Sequence, residues 1–452
     1  MVGNKLLACL LTTLFALSPV SDRTLVAAES EQPAITAAPV AEIPAPETST
    51  PSVGPSPTAE PTATLPPTAT PSPEPAVLAE DITLECALNG YTGARQLLHL
   101  KDNVYKTYWE STKRNGVHSL RVTAPEGKTA SGILIRWKSW PLAVSVQVPS
   151  GDDWVTVAAC DADFVAQYIA IPDAADFRII SRDDEGQTKL EISEITVLTP
   201  GELPDDIQVW RKAEDKVDML LIAGHPDDEL LWFGGLLPTY AGEQGRDVLV
   251  ACGAHNSYYR RLELCDGLWA CGVNIYPEFL SYFDLASGSA QAVYKEWGGQ
   301  SRVQGDIVRL YRQYRPDVVV LHADNGETGH GAHKALSLTG RDAIASAASA
   351  EEFPETAELY GTWLVPKVYL HLWEENQITM DWHVPLARFG GLDSMEVAAI
   401  AFEKHVSQHT KSYYSIHDGG DTDCSLFGLF HTTVGVDVEK QDMFEHITPR
   451  GE

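Results

Sequence analysis

Three short runs that are apolar almost from end to end, VDMLLIA (217–223), DVLVAC (247–252) and DVVVL (317–321), constrain this chain more than any other feature. A strand without polar alternation must be buried on both faces, and a parallel sheet covered by helices on both sides buries it in that way. The intervening and following segments carry helical periodicity at 229–242, 260–271, 302–314 and 333–347, with one further strand at 274–280. The alternation predicts an α/β domain over 201–452, built on a doubly wound, mainly parallel, Rossmann-like sheet. Ligand sites in such sheets lie beyond the carboxyl ends of the strands. The residues that directly follow the apolar runs therefore carry the most weight.

Ahead of Pro204 the period is two. SLRVTAP, SGILIRW, AVSVQVP, WVTVAAC, YIAIP, FRIIS and LEISEITVL, separated by turn residues, predict an antiparallel β-sandwich over 81–200. DNVYKTYWES (102–111), the 133–137 strand, Trp154 and the closing LEISEITVL resemble discoidin or galactose-binding modules. That resemblance implies a glycan contact, for which Trp137 and Trp140 are candidates because aromatic faces pack on apolar sugar faces. Alternatively, the two tryptophans only fill the core. Cys86 and Cys160 fall in this domain and can pair as a disulfide; the remaining mature cysteines read as buried thiols.

The first 28 residues place Lys5 ahead of an apolar stretch, LLACLLTTLFALSPV, and then small residues at Val26, Ala27 and Ala28. They read as an export signal, since the stretch is short for a span of about twenty residues and Pro19 interrupts it. Residues 29–80 form a Pro, Thr, Ser and Ala tract too poor in apolar surface to fold, and are expected to be an extended spacer. The implied location is secreted or cell-surface associated. The formal charge of −30 sets the chain against nucleic acid and anionic membrane surfaces as partners. No later segment is long and apolar enough to span a bilayer.

The chemistry sits where the sheet rule directs. VDMLLIA runs directly into Gly224-His225-Pro226-Asp227-Asp228-Glu229. Acidic residues at a helix start cap free backbone N–H groups, which accounts for Asp227 or Glu229 but not for a histidine among three carboxylates. Histidine and carboxylate are zinc ligands, and a neighbouring carboxylate off the metal can act as a base. DVVVL ends at His322, and its loop reaches Gly329-His330-Gly331-Ala332-His333 before the next helix. Two histidines three apart can place one imidazole on a metal and leave the other facing a substrate carbonyl.

The His225-Pro-Asp-Asp-Glu229 and Gly329-His-x-x-His333 motifs and the strands between them resemble the LmbE-like or PIG-L family of N-acetylglucosamine deacetylases. The resemblance implies Zn2+ held by His225, Asp228 and His333, with Asp227 as base and His330 steadying the oxyanion. It further implies substrate contacts from Arg260, in an Arg-x-x-Glu helix with Glu263, and from Asp284 in LSYFD. Thr328 stands where some members place an oxyanion-donating tyrosine. The implied reaction is zinc-dependent hydrolysis of the N-acetyl group of an amino sugar or glycan. The alternatives are an amidase acting on a larger sugar conjugate and a non-catalytic cell-surface glycan-binding protein. His255, at a strand's carboxyl end, is a weaker pocket candidate. His371, His383, His405, His409, His417 and His431 read as surface or hydrogen-bonded histidines, and the C-terminal stretch as a roof over the pocket.

Overall fold

The computed structural model describes residues 77–92, 94–409 and 414–448. Residues 1–28, expected to be an export signal, and nearly all of 29–80, expected to be a spacer, lie outside the described residues. The described residues all fall within one compact unit.

Each of the seven alternating runs is a strand, and together with short strands at Ala87–Asn89 and Trp109–Glu110 they make two antiparallel sheets. Both sheets contribute to one buried cluster that includes Trp109, Leu120, Ile133, Ile135, Trp137, Phe177 and Ile195. Leu134 points the other way, joining Val165 and Ala166 in the core of the α/β region. The Ala130–Trp137 strand is thus buried on both faces, which is why Ile133-Leu134-Ile135 breaks the alternation. Polar contacts fasten the same seam: the Tyr105 hydroxyl donates to Asp266 at 2.6 Å, and the Val165 N–H donates to the Tyr276 hydroxyl at 2.9 Å. Trp137 is fully buried, so it cannot stack on a sugar; Trp140 is 51 % exposed. Cys86 and Cys160 are free thiols, as are the other four described cysteines, so the disulfide expectation is not met.

The α/β region is built on a seven-stranded sheet. In spatial order its strands are Glu278–Tyr282, Val248–Ala254, Met219–Ala223, Val318–Leu321, Lys367–His371, Leu426–Thr432 and Gln377–Thr379. The first five are mutually parallel. The last two come from the C-terminal part of the chain and add antiparallel pairings to a sheet that was expected to be mainly parallel. Over the two regions together, antiparallel pairs outnumber parallel ones. Alternate residues of the central strand feed different cores: Met219, Leu221 and Ala223 face one side, Leu220 and Ile222 the other. At about 1.5–3 kcal/mol for each fully buried aliphatic side chain, this two-faced burial holds the strand at the centre.

Helices at Tyr258–Ala270, Gln300–Tyr314 and Gly331–Ala348 follow the sequence expectation closely. The helix expected over 229–242 is instead a single turn at Asp228–Leu231, then irregular backbone, then a π-helical turn at Pro238–Glu243. Gly234 interrupts it: its φ is +51°, and a Cβ there would come within 2.5 Å of the Cys424 sulfur. None of the described helices is long and apolar enough to cross a membrane.

The chain order places the next two strands on one side of Met219–Ala223 and the following two on the other. Strand order therefore reverses between Met219–Ala223 and Val318–Leu321. The loops leaving those two strands open a crevice at that point, and they are the loops that hold the two histidine motifs.

Candidate active site

Gly224 begins the first loop, and a side chain at this position is sterically excluded: a Cβ would lie 2.6 Å from His333 Cδ2 and 2.8 Å from Asp228 Oδ2. With the backbone drawn in so closely, His225, Asp228 and His333 converge. His225 Nδ1 lies 3.0 Å from Asp228 Oδ2 and 3.2 Å from His333 Nε2, and His333 Nε2 lies 2.9 Å from Asp228 Oδ2. All three residues are buried. The other Asp228 oxygen accepts the Trp232 indole N–H at 2.7 Å, and Oδ2 also accepts the His225 backbone N–H at 2.7 Å. Burial alone would raise the Asp228 carboxyl, but the charges and hydrogen bonds of His333 and His225 hold it well below the usual carboxylate range. Burial likewise opposes the charged form of His333, yet Asp228 and Glu327 lift it to about 10.

Three donor atoms at these separations fit a small divalent cation, since zinc bonds of about 2.0–2.1 Å in a tetrahedron set the donors ~3.3 Å apart. Two overlapping clusters have metal-ligand character, His225 with His330 and His333, and Asp228 with His322 and His333. Hydrogen bonding separates their members. His322 Nε2 accepts the Gly224 N–H at 2.8 Å, and its Nδ1 lies 3.0 Å from Glu327 Oε2, so both ring nitrogens face protein groups. His330 Nδ1 accepts the Ala332 N–H at 3.3 Å, leaving Nε2 to carry the proton. Burial, reinforced by His225 and His333, pushes its pKa down to about 4, so His330 is neutral near pH 7.

Behind the three donors stands a carboxylate that sequence reasoning passed over. Glu327 Oε2 lies 2.9 Å from His333 Nδ1, while Oε1 lies 3.1 Å from His371 Nδ1 and accepts the Ala323 N–H at 2.8 Å. A carboxylate on the far nitrogen fixes the tautomer and aim of a ligating histidine. His322 and His371 both stand at the carboxyl ends of parallel strands, a positional signal that could have drawn them into the site.

Asp227 sits beside the cluster in a strained conformation, φ +124° and ψ −27°, in the region that favours glycine. Its N–H donates to Glu229 Oε2 at 2.8 Å, and its carboxylate accepts from Arg260 at 3.0 Å. Burial pushes the Asp227 carboxyl up to about 7 against the opposing charge of Arg260. Asp284 Oδ1 lies 3.2 Å from His225 Nε2; burial raises its carboxyl, but His225 and Arg260 hold it below its ordinary value. Arg260 and Asp284 thus line the pocket while also bracing Asp227 and His225. The pocket, about 320 Å³, is further lined by Thr328, His330, Gln408 and Tyr414. His255 is not in its wall and instead stands edge-on to Phe279. Glu263 is held by Ser407, away from the pocket.

Residues 220–344 match the family model described as GlcNAc-PI de-N-acetylase, PIG-L. This segment is a PIG-L domain. Both histidine motifs and Glu327 fall within the PIG-L segment. A 1D-myo-inositol 2-acetamido-2-deoxy-alpha-D-glucopyranoside deacetylase of Rhodococcus erythropolis is 31% identical over 180 residues, covering 33% of this chain and 59% of that protein. The chain thus spans about three fifths of that curated relative's length. Among solved structures, the N,N'-diacetylchitobiose deacetylase of Pyrococcus horikoshii aligns at 18% identity over 42% of this chain and 71% of its own, with a TM-score of 0.33. CpGH89CBM32-6 of Clostridium perfringens aligns at 14% identity over 27% of this chain and 100% of its own, with a TM-score of 0.23.

Proposed function

We propose that this protein is a zinc-dependent N-deacetylase of N-acetylated amino sugars. One observation carries the proposal: His225 Nδ1, Asp228 Oδ2 and His333 Nε2 converge to within 3.2 Å of one another, with the raised carboxyl of Asp227 alongside. The PIG-L match and the acetamido sugar in the name of the Rhodococcus erythropolis relative support the substrate class.

Zinc held by those three residues supplies Lewis acidity and a water that ionises near neutral pH. Asp227 takes the proton of the attacking water as its oxygen bonds to the acetamide carbonyl carbon. A carboxyl near pKa 7 is suited both to accept that proton and to return it. Neutral His330 presents Nε2–H to the developing oxyanion, and its low pKa assigns it to hydrogen-bond donation rather than to proton delivery. The C–N bond then breaks as Asp227 passes the proton to the leaving nitrogen, giving acetate and the free amine.

The two antiparallel sheets are proposed to be a β-sandwich of the galactose-binding kind that touches glycan through Trp140. Residues 1–28 are proposed to direct export, with 29–80 as the spacer. Acetate release from a panel of N-acetylated oligosaccharides, with zinc-loaded protein, tests the catalytic reading. Asp227→Asn should keep its zinc and lose turnover by roughly 10²–10⁴-fold, the range for a general base. Wild-type protein that binds glycan but releases neither acetate nor amine would overturn the enzyme reading in favour of a glycan-binding protein.

A further inference from the structure

After the Ser394–Phe402 helix the chain turns back beneath the catalytic loop, and His405 and Ser407 are both buried there. His405 Nε2 lies 2.7 Å from Glu229 Oε1. The second oxygen of Glu229 is the acceptor for the Asp227 N–H, so one buried carboxylate joins the C-terminal segment to the strained residue of the site. Two residues on, Ser407 gives Glu263 its backbone N–H at 2.9 Å and its hydroxyl at 2.5 Å. Glu263 lies one helical turn after Arg260, the group that grips the Asp227 carboxylate. The His405 ring also abuts this helix at Gly267, where a Cβ would lie 2.9 Å from Nε2. Gln408 follows immediately and lines the pocket.

Two independent chains of contact therefore converge on Asp227, one through its backbone and one through its carboxylate. Both start in residues 405–407. A strained residue persists only where its surroundings over-determine it. We propose that His405 and Ser407 are positioning residues: His405 fixes the Asp227 backbone through Glu229, and Ser407 seats the helix that carries Arg260 through Glu263. The C-terminal segment is then a working part of the site rather than a cover over it. The inference rests on Asp227 acting as the base.

The test uses the full chain with His405→Ala, His405→Gln, whose amide keeps a donor for Glu229, and Ser407→Ala. Three readouts are taken: kcat and KM on N,N'-diacetylchitobiose, bound zinc, and amide hydrogen exchange over 224–231 with 318–321 as the internal control. His405→Ala should lower kcat by about 10–100-fold, the range for partners that orient site residues, with KM and zinc content unchanged. Exchange should rise over 224–231 and stay slow over 318–321. His405→Gln should recover most of kcat, and Ser407→Ala should show a smaller loss. Adding Glu229→Gln to His405→Ala should cost little more than either change alone. Wild-type kcat and unchanged exchange in His405→Ala would overturn the proposal, as would a rise in exchange shared equally by 318–321. If His405→Ala does not fold, the comparison of wild type with His405→Gln and Ser407→Ala decides by the same criteria. If the wild type releases no acetate, the deacetylase reading falls, and the exchange measurement still decides whether the brace exists.

Discussion

Glu327→Gln isolates the role of the carboxylate behind His333 with almost no change in volume. In the wild type Oε1 accepts the Ala323 N–H and faces His371, while Oε2 faces the Nδ1 atoms of His333 and His322. The Ala323 N–H can only donate, so the glutamine carbonyl must take the Oε1 position and its NH2 must take the other. That NH2 confronts His333 Nδ1, which has to surrender its proton and become an acceptor. The proton moves to Nε2, the atom aimed at Asp228 Oδ2 and at the proposed metal position. Outer partners of metal-bound histidines are worth about 10–100-fold in affinity. That corresponds to roughly 1.4–2.8 kcal/mol. Competition between apo-protein and a chromophoric chelator measures the change directly, with circular dichroism as the check on folding. Folded Glu327→Gln protein that binds zinc as tightly as wild type would refute the tautomer argument.

Gly224→Ala should be more damaging than an ordinary loop substitution, because the added methyl would press on His333 Cδ2 and Asp228 Oδ2 together. Zinc binding should fall by at least ~10-fold, and a variant that binds zinc normally would show that the loop relaxes without moving its ligands. A second expectation concerns Glu194, whose carboxyl burial and the neighbouring Asp102 raise to about 8. Its folded pKa lies above the unfolded value, so the folded state holds the extra proton: this contribution to stability is complete below about pH 4 and is lost as pH rises towards about 8. Glu194→Gln should therefore gain stability relative to wild type at about pH 9, by ~1 kcal/mol or more and read as a higher Tm, and much less at about pH 5. An equal Tm difference at both pH values would count against the assignment.

The parts of this structure that could be read from sequence are those in which short-range pattern and long-range packing agree. Met219–Ala223, Val248–Ala254 and Val318–Leu321 are strands because nothing polar interrupts them, and the sheet rule then singled out His225 and His333. The expected 229–242 helix fails at Gly234, where the backbone must make room for Cys424 almost two hundred residues later; local periodicity carries no record of that neighbour. The two antiparallel strands were missed for a related reason, since Leu426–Thr432 pairs with Lys367–His371 across a long connection. Within the site, Glu327 looked like one more acidic loop residue beside Asp324. Its importance comes from burial against three histidines, two of which, His322 and His371, close different strands. Trp137 and Trp140 stand three residues apart, and the strand's register buries one while leaving the other half exposed.

The reversal of strand order between Met219–Ala223 and Val318–Leu321 also bears on the time course of folding. His225 and His333 are 108 residues apart in the chain, and they meet only after two parallel strands, separated by a long excursion, have zipped together. Contacts of that span form slowly, because loop-closure entropy is lost before pairing compensates for it. Capture of the proposed zinc should then be a late event, and a zinc-sensitive dye in a refolding mixture would serve as a clock for the moment the central sheet closes.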